Sequence, residues 1–305
     1  MSNIISITQF NKDEVEAILA RAAQMEKTLL AGKVEPALKD KIVACVFFEP
    51  STRTRLSFET AALRLGAKVI SVENALENSS AHKGESIEDT TKMLCSYADI
   101  IVIRHPEAGS LKRAAKVAAK PLINAGDGAN EHPTQGFLDL YTIQKEKGRL
   151  TDLGVGFGGD LLNSRTLRSL LPLLRLYKNN KFYFISPKEL QLPKEFTKEL
   201  KENKVAFEEL NNLEEALPHL DVLYMTRVQK ERFANVADYE KVKNLFILKN
   251  EHLNILKQDA IIIHPLPKIN EIEKEVDTDP RAAYFRQAQN GLYVRMALLL
   301  QVLGL

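Results

Sequence analysis

Nine short apolar runs alternating with stretches of helical period constrain the fold of this chain more than any other feature. The runs lie near 42–48, 68–72, 99–103, 121–123, 154–158, 181–186, 204–207, 221–225 and 260–263, and 86–97, 134–147 and 164–177 are amphipathic stretches between them. An apolar run without strict alternation suits a strand buried on both faces, as in a parallel sheet whose crossovers are helices. The expected class is α/β: two domains, each a mainly parallel sheet flanked by helices. Nine strands in 305 residues suit two such domains better than one. The boundary falls near Lys147-Gly148-Arg149, where a long helix ends ahead of the run at Gly154, giving domains 1–148 and 149–283. Asn11 and Glu14 are spaced as a capping box for a helix with the stripe Val15, Ile18, Leu19, Ala22 and Met25. Residues Arg281 to Leu303 read as one long amphipathic helix, and the charged stretch 193–203 as a solvated helix face.

Composition mostly excludes. With 42 Lys and Arg against 40 Asp and Glu, a net charge of +2 gives no sign of a nucleic-acid partner. No apolar run approaches a membrane span, and Met1-Ser2-Asn3 opens without a basic n-region, so neither membrane nor export is expected and the location is cytoplasmic. Cys45 and Cys95 both sit in apolar surroundings and read as reduced core thiols without metal-ligand spacing. No metal and no cofactor is implied.

The chemistry concentrates where the first run ends. Ile42 to Phe48 runs into Glu49-Pro50-Ser51-Thr52-Arg53-Thr54-Arg55, and helical spacing begins at Leu56. Pro50 cannot extend the strand, and Ser51 or Thr52 is a good N-cap. Unsatisfied N–H groups, a helix dipole and a forked cation then converge on one spot, which suits a phosphate or another compact dianion. In open parallel sheets ligands bind beyond the carboxyl ends of the strands. There this chain places Arg104-His105-Pro106, Asn124 with His132-Pro133-Thr134-Gln135, Asp160 to Arg165, Thr226-Arg227-Val228-Gln229 and His264-Pro265-Leu266-Pro267. So many arginines imply a polyanionic substrate.

Ser-Thr-Arg-Thr-Arg after Phe-Phe-Glu-Pro, followed in order by the other clusters, resembles the aspartate and ornithine carbamoyltransferase family along essentially the whole chain. The resemblance implies that Ser51, Thr52, Arg53, Thr54 and Arg104 hold the phosphate of carbamoyl phosphate. It also implies that Thr54, Arg104 and His132 surround the carbonyl oxygen and that Gln135 accepts the carbamoyl NH2. Arg53, Thr54, Arg104, His132 and Lys83 are the implied catalytic set. Arg165, Arg227 and Gln229 match residues for the two carboxylates of aspartate, with Lys83 and Leu266 beside them, and the carbonyls of Pro265 and Leu266 accept from the attacking amine. Ser79 and Lys83 lie in a polar stretch that alone reads as a mobile surface loop. In the family, residues so spaced reach the active site of a neighbouring subunit, implying a homotrimer with shared sites; a regulatory chain or a higher assembly is compatible with it. The family's C-terminal helix, about 284–305 here, returns to the first domain. Domain closure on the substrates is a further family expectation.

Two sister readings differ in their residues. Ornithine enzymes usually carry His-Cys-Leu-Pro where this chain has His264-Pro265-Leu266-Pro267, and arginines select an acidic acceptor. Gly154-Val155-Gly156-Phe157-Gly158-Gly159 fits a dinucleotide fingerprint, but the strand lies within the glycines rather than ahead of them. An NAD-binding oxidoreductase is therefore disfavoured. One departure stands out: many relatives carry Lys and then Tyr or His where this chain has Leu162-Asn163, and altered or weak cooperativity is expected from it.

Overall fold

The computed structural model describes residues 2–228, 235–242 and 245–305. The chain divides into two compact units, one of Met1–Tyr141, Arg168–Leu173 and Ala288–Leu305, the other of Thr142–Leu167 and Leu174–Gln287.

The first unit is built on a four-stranded parallel sheet in the order β2-β1-β3-β4, with β1 (Ile42–Phe47), β2 (Lys68–Glu73), β3 (Ile100–His105) and β4 (Leu122–Asp127). α1 (Lys12–Leu30) precedes the sheet, the crossovers carry α2 (Thr52–Arg64), α3 (Ala75–Asn78), α4 (Ile87–Tyr97) and α5 (Ser110–Val117), and α6 (Pro133–Lys147) follows β4. β1 and β4 are buried almost throughout, as strands covered on both faces must be. One side of the sheet packs Ala44, Val46, Ile101, Ile103 and Leu122 against Ile87, Leu94, Leu111 and Ala114. The capping box of α1 forms, with Glu14 N–H donating to Asn11 Oδ1 at 3.0 Å and Asn11 N–H to Glu14 Oε2 at 2.9 Å. The β1–β3 register sets Phe47 opposite Arg104, so both strands end at the same level. That register brings Glu49, Ser51 and Arg104 together.

The second unit holds a five-stranded parallel sheet in the order β7-β6-β5-β8-β9, with β5 (Gly154–Gly158), β6 (Lys181–Ile185), β7 (Ala206–Leu210), β8 (Val222–Met225) and β9 (Ile261–Ile263). α8 (Lys194–Glu202), α9 (Leu213–Ala216) and α10 (Val236–Val242) lie in this unit, whereas most of α7 (Arg165–Leu174) and of α11 (Tyr284–Gln301) is counted with the first. The glycines of the fingerprint-like run are explained by packing. A Cβ on Gly154 would stand 2.2 Å from the His219 carbonyl oxygen, and one on Gly156 2.5 Å from Leu220 Cδ1. β5 therefore lies inside the glycines, which make room for its neighbours.

All nine expected strands are present, so the α/β class with two parallel sheets holds. β7 is displaced from the expected 204–207 to Ala206–Leu210, and α11 is shorter at both ends than the stretch read from the sequence. The polar stretch 78–86 is not an irregular loop throughout: α3 ends at Asn78 and is followed by a 3₁₀ turn, Ser80–Lys83, with Ser79 at its N-cap. No helix among the described residues is long and apolar enough to cross a membrane.

Candidate active site

In the first unit, the turn between β1 and α2 forms as its sequence dictates. Phe48 N–H still donates to Arg104 O at 2.9 Å, Pro50 stops the ladder, and the first turn of α2 closes when Arg55 N–H donates to Ser51 O at 3.0 Å. The N–H groups ahead of Arg55 lie at the positive end of the helix dipole, where anions are favoured. Ser51 occupies the N-cap position, but its hydroxyl makes no capping bond. It accepts instead from Arg104 Nη1 at 3.1 Å, while Arg104 Nε donates to Glu49 Oε1 at 2.7 Å. The hydroxyl and carboxylate hold Arg104's guanidinium, which is only 13% exposed. Arg53 and Thr52 are exposed on the first turn. Arg55 has a different job, bridging Glu59 at 2.9 Å and Glu73 at 3.0 Å.

Beneath this turn lies a buried polar layer. Thr54 Oγ1 stands 3.5 Å from His132 Nε2, Thr134 Oγ1 lies 3.4 Å from His132 Nδ1, and His132 N–H donates to Ser169 Oγ at 2.8 Å. Gln135 Nε2 donates to Asp139 Oδ1 at 2.7 Å, one turn along α6. Gly136 is needed because a Cβ there would meet Ser169 O at 2.7 Å. Ser51 with Arg104, and Thr54 with His132, are thus brought together. Ser79 and Lys83 are not joined to them: Ser79 Oγ donates to Ala75 O at 2.6 Å and accepts from Ala81 N–H, and the Lys83 side chain is exposed.

In the second unit, the assigned residues follow β5, β8 and β9. Arg165 opens α7, and Arg227 follows β8; both are half-buried. Between β5 and α7, buried Asp160 accepts from Asn163 N–H at 3.0 Å and from Asn163 Nδ2 at 3.1 Å. Asn163 therefore braces the segment leading to Arg165. Thr226 Oγ1 donates to Gly158 O at 3.0 Å, tying the end of β8 to that of β5. After β9, Leu266 has φ +57°, a left-handed conformation costly for a branched side chain, and precedes a cis bond to Pro267. His264 holds this turn. Its Nδ1 accepts from Leu266 N–H at 2.8 Å, its N–H donates to Gln287 Oε1 at 2.8 Å, and its Nε2 stands 2.8 Å from Glu271 Oε1. Burial would raise the Glu271 carboxyl, but His264 and the backbone N–H groups at 269 and 271 hold it below its ordinary value. Gln229 lies outside the described residues.

Several residues of these sites have no role in the sequence reading, although Glu49 and His264 lie within its candidate runs. Glu49 anchors Arg104, His264 and Glu271 shape the Leu266 turn, and Asp139 fixes Gln135. The i, i+4 spacing of Gln135 and Asp139 on one helix was the signal for the last. Burial pushes the Cys45 thiol far up, which makes it an unsuitable nucleophile at neutral pH. No cluster of three or more potential metal ligands occurs among the described residues.

Residues 2–145 match the carbamoyl-P binding domain, and residues 151–302 the Asp/Orn binding domain, of aspartate/ornithine carbamoyltransferase. The chain belongs to this family. It is 48% identical over 299 residues, covering 98% of this chain and 97% of the relative, to the aspartate carbamoyltransferase catalytic subunit of Methanocaldococcus jannaschii. Among solved structures, it is similar to the M. jannaschii aspartate transcarbamoylase catalytic subunit, with TM-score 0.92 and 46% identity over 100% of this chain and 98% of that one. It is also similar to Trypanosoma cruzi aspartate transcarbamoylase in complex with carbamoyl phosphate and aspartate, with TM-score 0.90 and 37% identity over 98% and 95% of the two chains.

Proposed function

We propose that this chain is an aspartate carbamoyltransferase, moving the carbamoyl group of carbamoyl phosphate onto the amine of L-aspartate to give N-carbamoyl-L-aspartate and phosphate in pyrimidine synthesis. The observation that carries this is full-length similarity to relatives bearing that name, together with the solved T. cruzi complex.

Residues 1–148 form the carbamoyl-phosphate domain, to which a C-terminal helix near 284–305 returns, and 149–283 the aspartate domain. Ser51, Thr52, Arg53, Thr54 and Arg104 bind the phosphate, a role supported by the amino end of α2 and by the Ser51–Arg104–Glu49 bonding. Thr54, Arg104 and His132 donate to the carbonyl oxygen, and Gln135 accepts from the carbamoyl NH2. Arg165, Arg227 and Gln229 take the carboxylates of aspartate, for which the planar guanidinium is stereochemically suited. The carbonyls of Pro265 and Leu266 receive the amine's N–H groups.

The neutral amine attacks the carbonyl carbon, and negative charge builds on the oxygen. The carbon–oxygen bond to phosphate then breaks, and the departing phosphate takes the proton the amine loses. Preorganised donors at such an oxygen each contribute about 10²–10³ in rate, so positioning and electrostatics suffice without a dedicated side-chain base. Ser79 and Lys83 act on the neighbouring subunit's site in a homotrimer, a role supported by the exposure of Lys83. Mixing separately inactive Lys83→Ala and His132→Ala proteins tests this sharing, because hybrid trimers would recover activity. The activity itself is tested by ureido-product formation with aspartate or ornithine as acceptor. Turnover with aspartate alone is expected; turnover with ornithine would overturn the acceptor assignment.

A further inference from the structure

Asp127 closes β4 in the first unit and is 1% exposed. A buried carboxyl group is costly unless donors meet its lone pairs. Four N–H groups do so here. Oδ2 accepts from Gly109 N–H at 2.9 Å and from Asn130 Nδ2 at 3.0 Å. Oδ1 accepts from Glu131 N–H and from Asn124 Nδ2, each at 3.2 Å. Each oxygen therefore serves one backbone and one side-chain donor. The orientation of the Asn124 amide follows from its other bonds, since its Oδ1 accepts from Gly126 N–H at 2.7 Å and its Nδ2 donates to Ile5 O at 2.9 Å.

The donors come from two different turns. Gly109 caps α5 and ends the turn that begins after Arg104 and His105. Asn130 and Glu131 lie in the turn between β4 and α6, and Glu131 directly precedes His132. The two turns also meet through their backbones. Gly128 N–H donates to His105 O at 2.9 Å, and a Cβ on Gly128 would stand 2.6 Å from Pro106 O. Glu131 is held from its other side as well. Asp127 N–H donates to Glu131 O at 3.1 Å, and the Glu131 carboxylate accepts from Ser6 Oγ and Ile7 N–H, both at 2.7 Å. Asp127 thus stands between Arg104 and His132, two of the groups assigned to the carbonyl oxygen.

We propose that Asp127 is a positioning residue: its two oxygens tie the turn after Arg104 to the turn before His132, and so fix the spacing of two donors to the carbonyl oxygen of carbamoyl phosphate. The inference rests on the carbamoyl-phosphate reading of the first unit. It adds that this pair of donors is set by a carboxyl group bonded within the turns that carry them. Glu49 and Ser51 already hold the Arg104 guanidinium against the anion turn. The defect on losing Asp127 is therefore expected in the chemical step rather than in phosphate binding.

The test is Asp127→Asn, which keeps the shape but must turn an NH2 group toward one of the two backbone donors, Gly109 or Glu131. The kcat is expected to fall about a hundredfold, as for a catalytic group displaced by about 1 Å. Inorganic phosphate should bind with wild-type affinity, and expressing kcat per phosphate-binding site removes any contribution from unfolded protein. A wild-type kcat, or a parallel loss of phosphate affinity, overturns the proposal. Should Asp127→Asn fail to fold, Asn130→Ala deletes one donor on the His132 side and leaves both backbone bonds to Asp127. A fall in kcat of about fivefold, the worth of one hydrogen bond, is expected there with wild-type phosphate binding. An unchanged kcat in that variant would overturn the proposal. Wild type that binds phosphate but transfers no carbamoyl group to aspartate would instead refute the underlying functional reading.

Discussion

The two units present ligand-binding side chains by different physical means. In the first, they stand on buried side-chain bonds: Arg104 on Glu49 and Ser51, His132 beside Thr54 and Thr134, Gln135 on Asp139. In the second, backbone shape does more of the work. Gly159 at φ +109° and Leu266 at φ +57° turn the chain after β5 and β9, and Asn163 and His264 brace these turns through backbone N–H groups. A preorganised polar layer suits a ligand whose charge develops on one fixed oxygen. Turns held by a few local bonds suit carboxylates gripped from outside by arginines.

The largest effect should come from the first unit. Arg53→Ala is expected to lower turnover by about 10³-fold or more, because phosphate binding and charge stabilisation are lost together. Steady-state rates with saturating substrates check it, and near-normal carbamoyl-phosphate affinity in this variant would show that the anion site is elsewhere.

Next comes a change that should strike folding of the second unit. A Cβ on Gly159 would lie 2.2 Å from the Thr226 carbonyl oxygen, at a φ that side chains avoid. Gly159→Ala should destabilise the protein by about 3 kcal/mol, the upper range for a residue forced into such a conformation. Urea unfolding measures it, and an unchanged midpoint would remove the backbone-shape side of the comparison.

Arg227→Lys should raise KM for aspartate about tenfold to a hundredfold, since an ammonium cannot bind a carboxylate through two parallel bonds. Equal rises in KM for both substrates would blur the division between the units.

The smallest effect concerns pH. Glu271 has a folded value below its ordinary 4.5, so its contribution to stability is complete above that value and lost as pH falls through the lower one. Glu271→Gln should flatten this acid limb and cost about 1 kcal/mol near neutrality. An unchanged acid limb in thermal melts would mean that the His264–Glu271 pair does not hold the turn.

The fold was legible because strands buried on both faces are apolar throughout, as in Ile42–Phe47 and Ile261–Ile263. β7 was misplaced because Ala-Phe-Glu-Glu-Leu is largely exposed and only weakly apolar. The anion turn was legible because Pro50 and the residues after it each have a local job. The Ser51 hydroxyl was not: the N-cap rule assigns it to its own helix, whereas the β1–β3 register delivers Arg104 to it. Arg295 was invisible for a related reason: it looks like an isolated polar intrusion in an apolar helix, and only tertiary packing sets its guanidinium over the Phe58 ring. The stretch 78–86 reads as a loop because its 3₁₀ turn is too short to show a helical period.

The most direct test is equilibrium binding of carbamoyl phosphate, without aspartate, to wild type, Arg53→Ala and Arg227→Lys. The account predicts loss of affinity by about a hundredfold in Arg53→Ala, as for removal of a charged hydrogen-bonding partner, and wild-type affinity in Arg227→Lys. Wild-type binding by Arg53→Ala, or a comparable loss in Arg227→Lys, would contradict it.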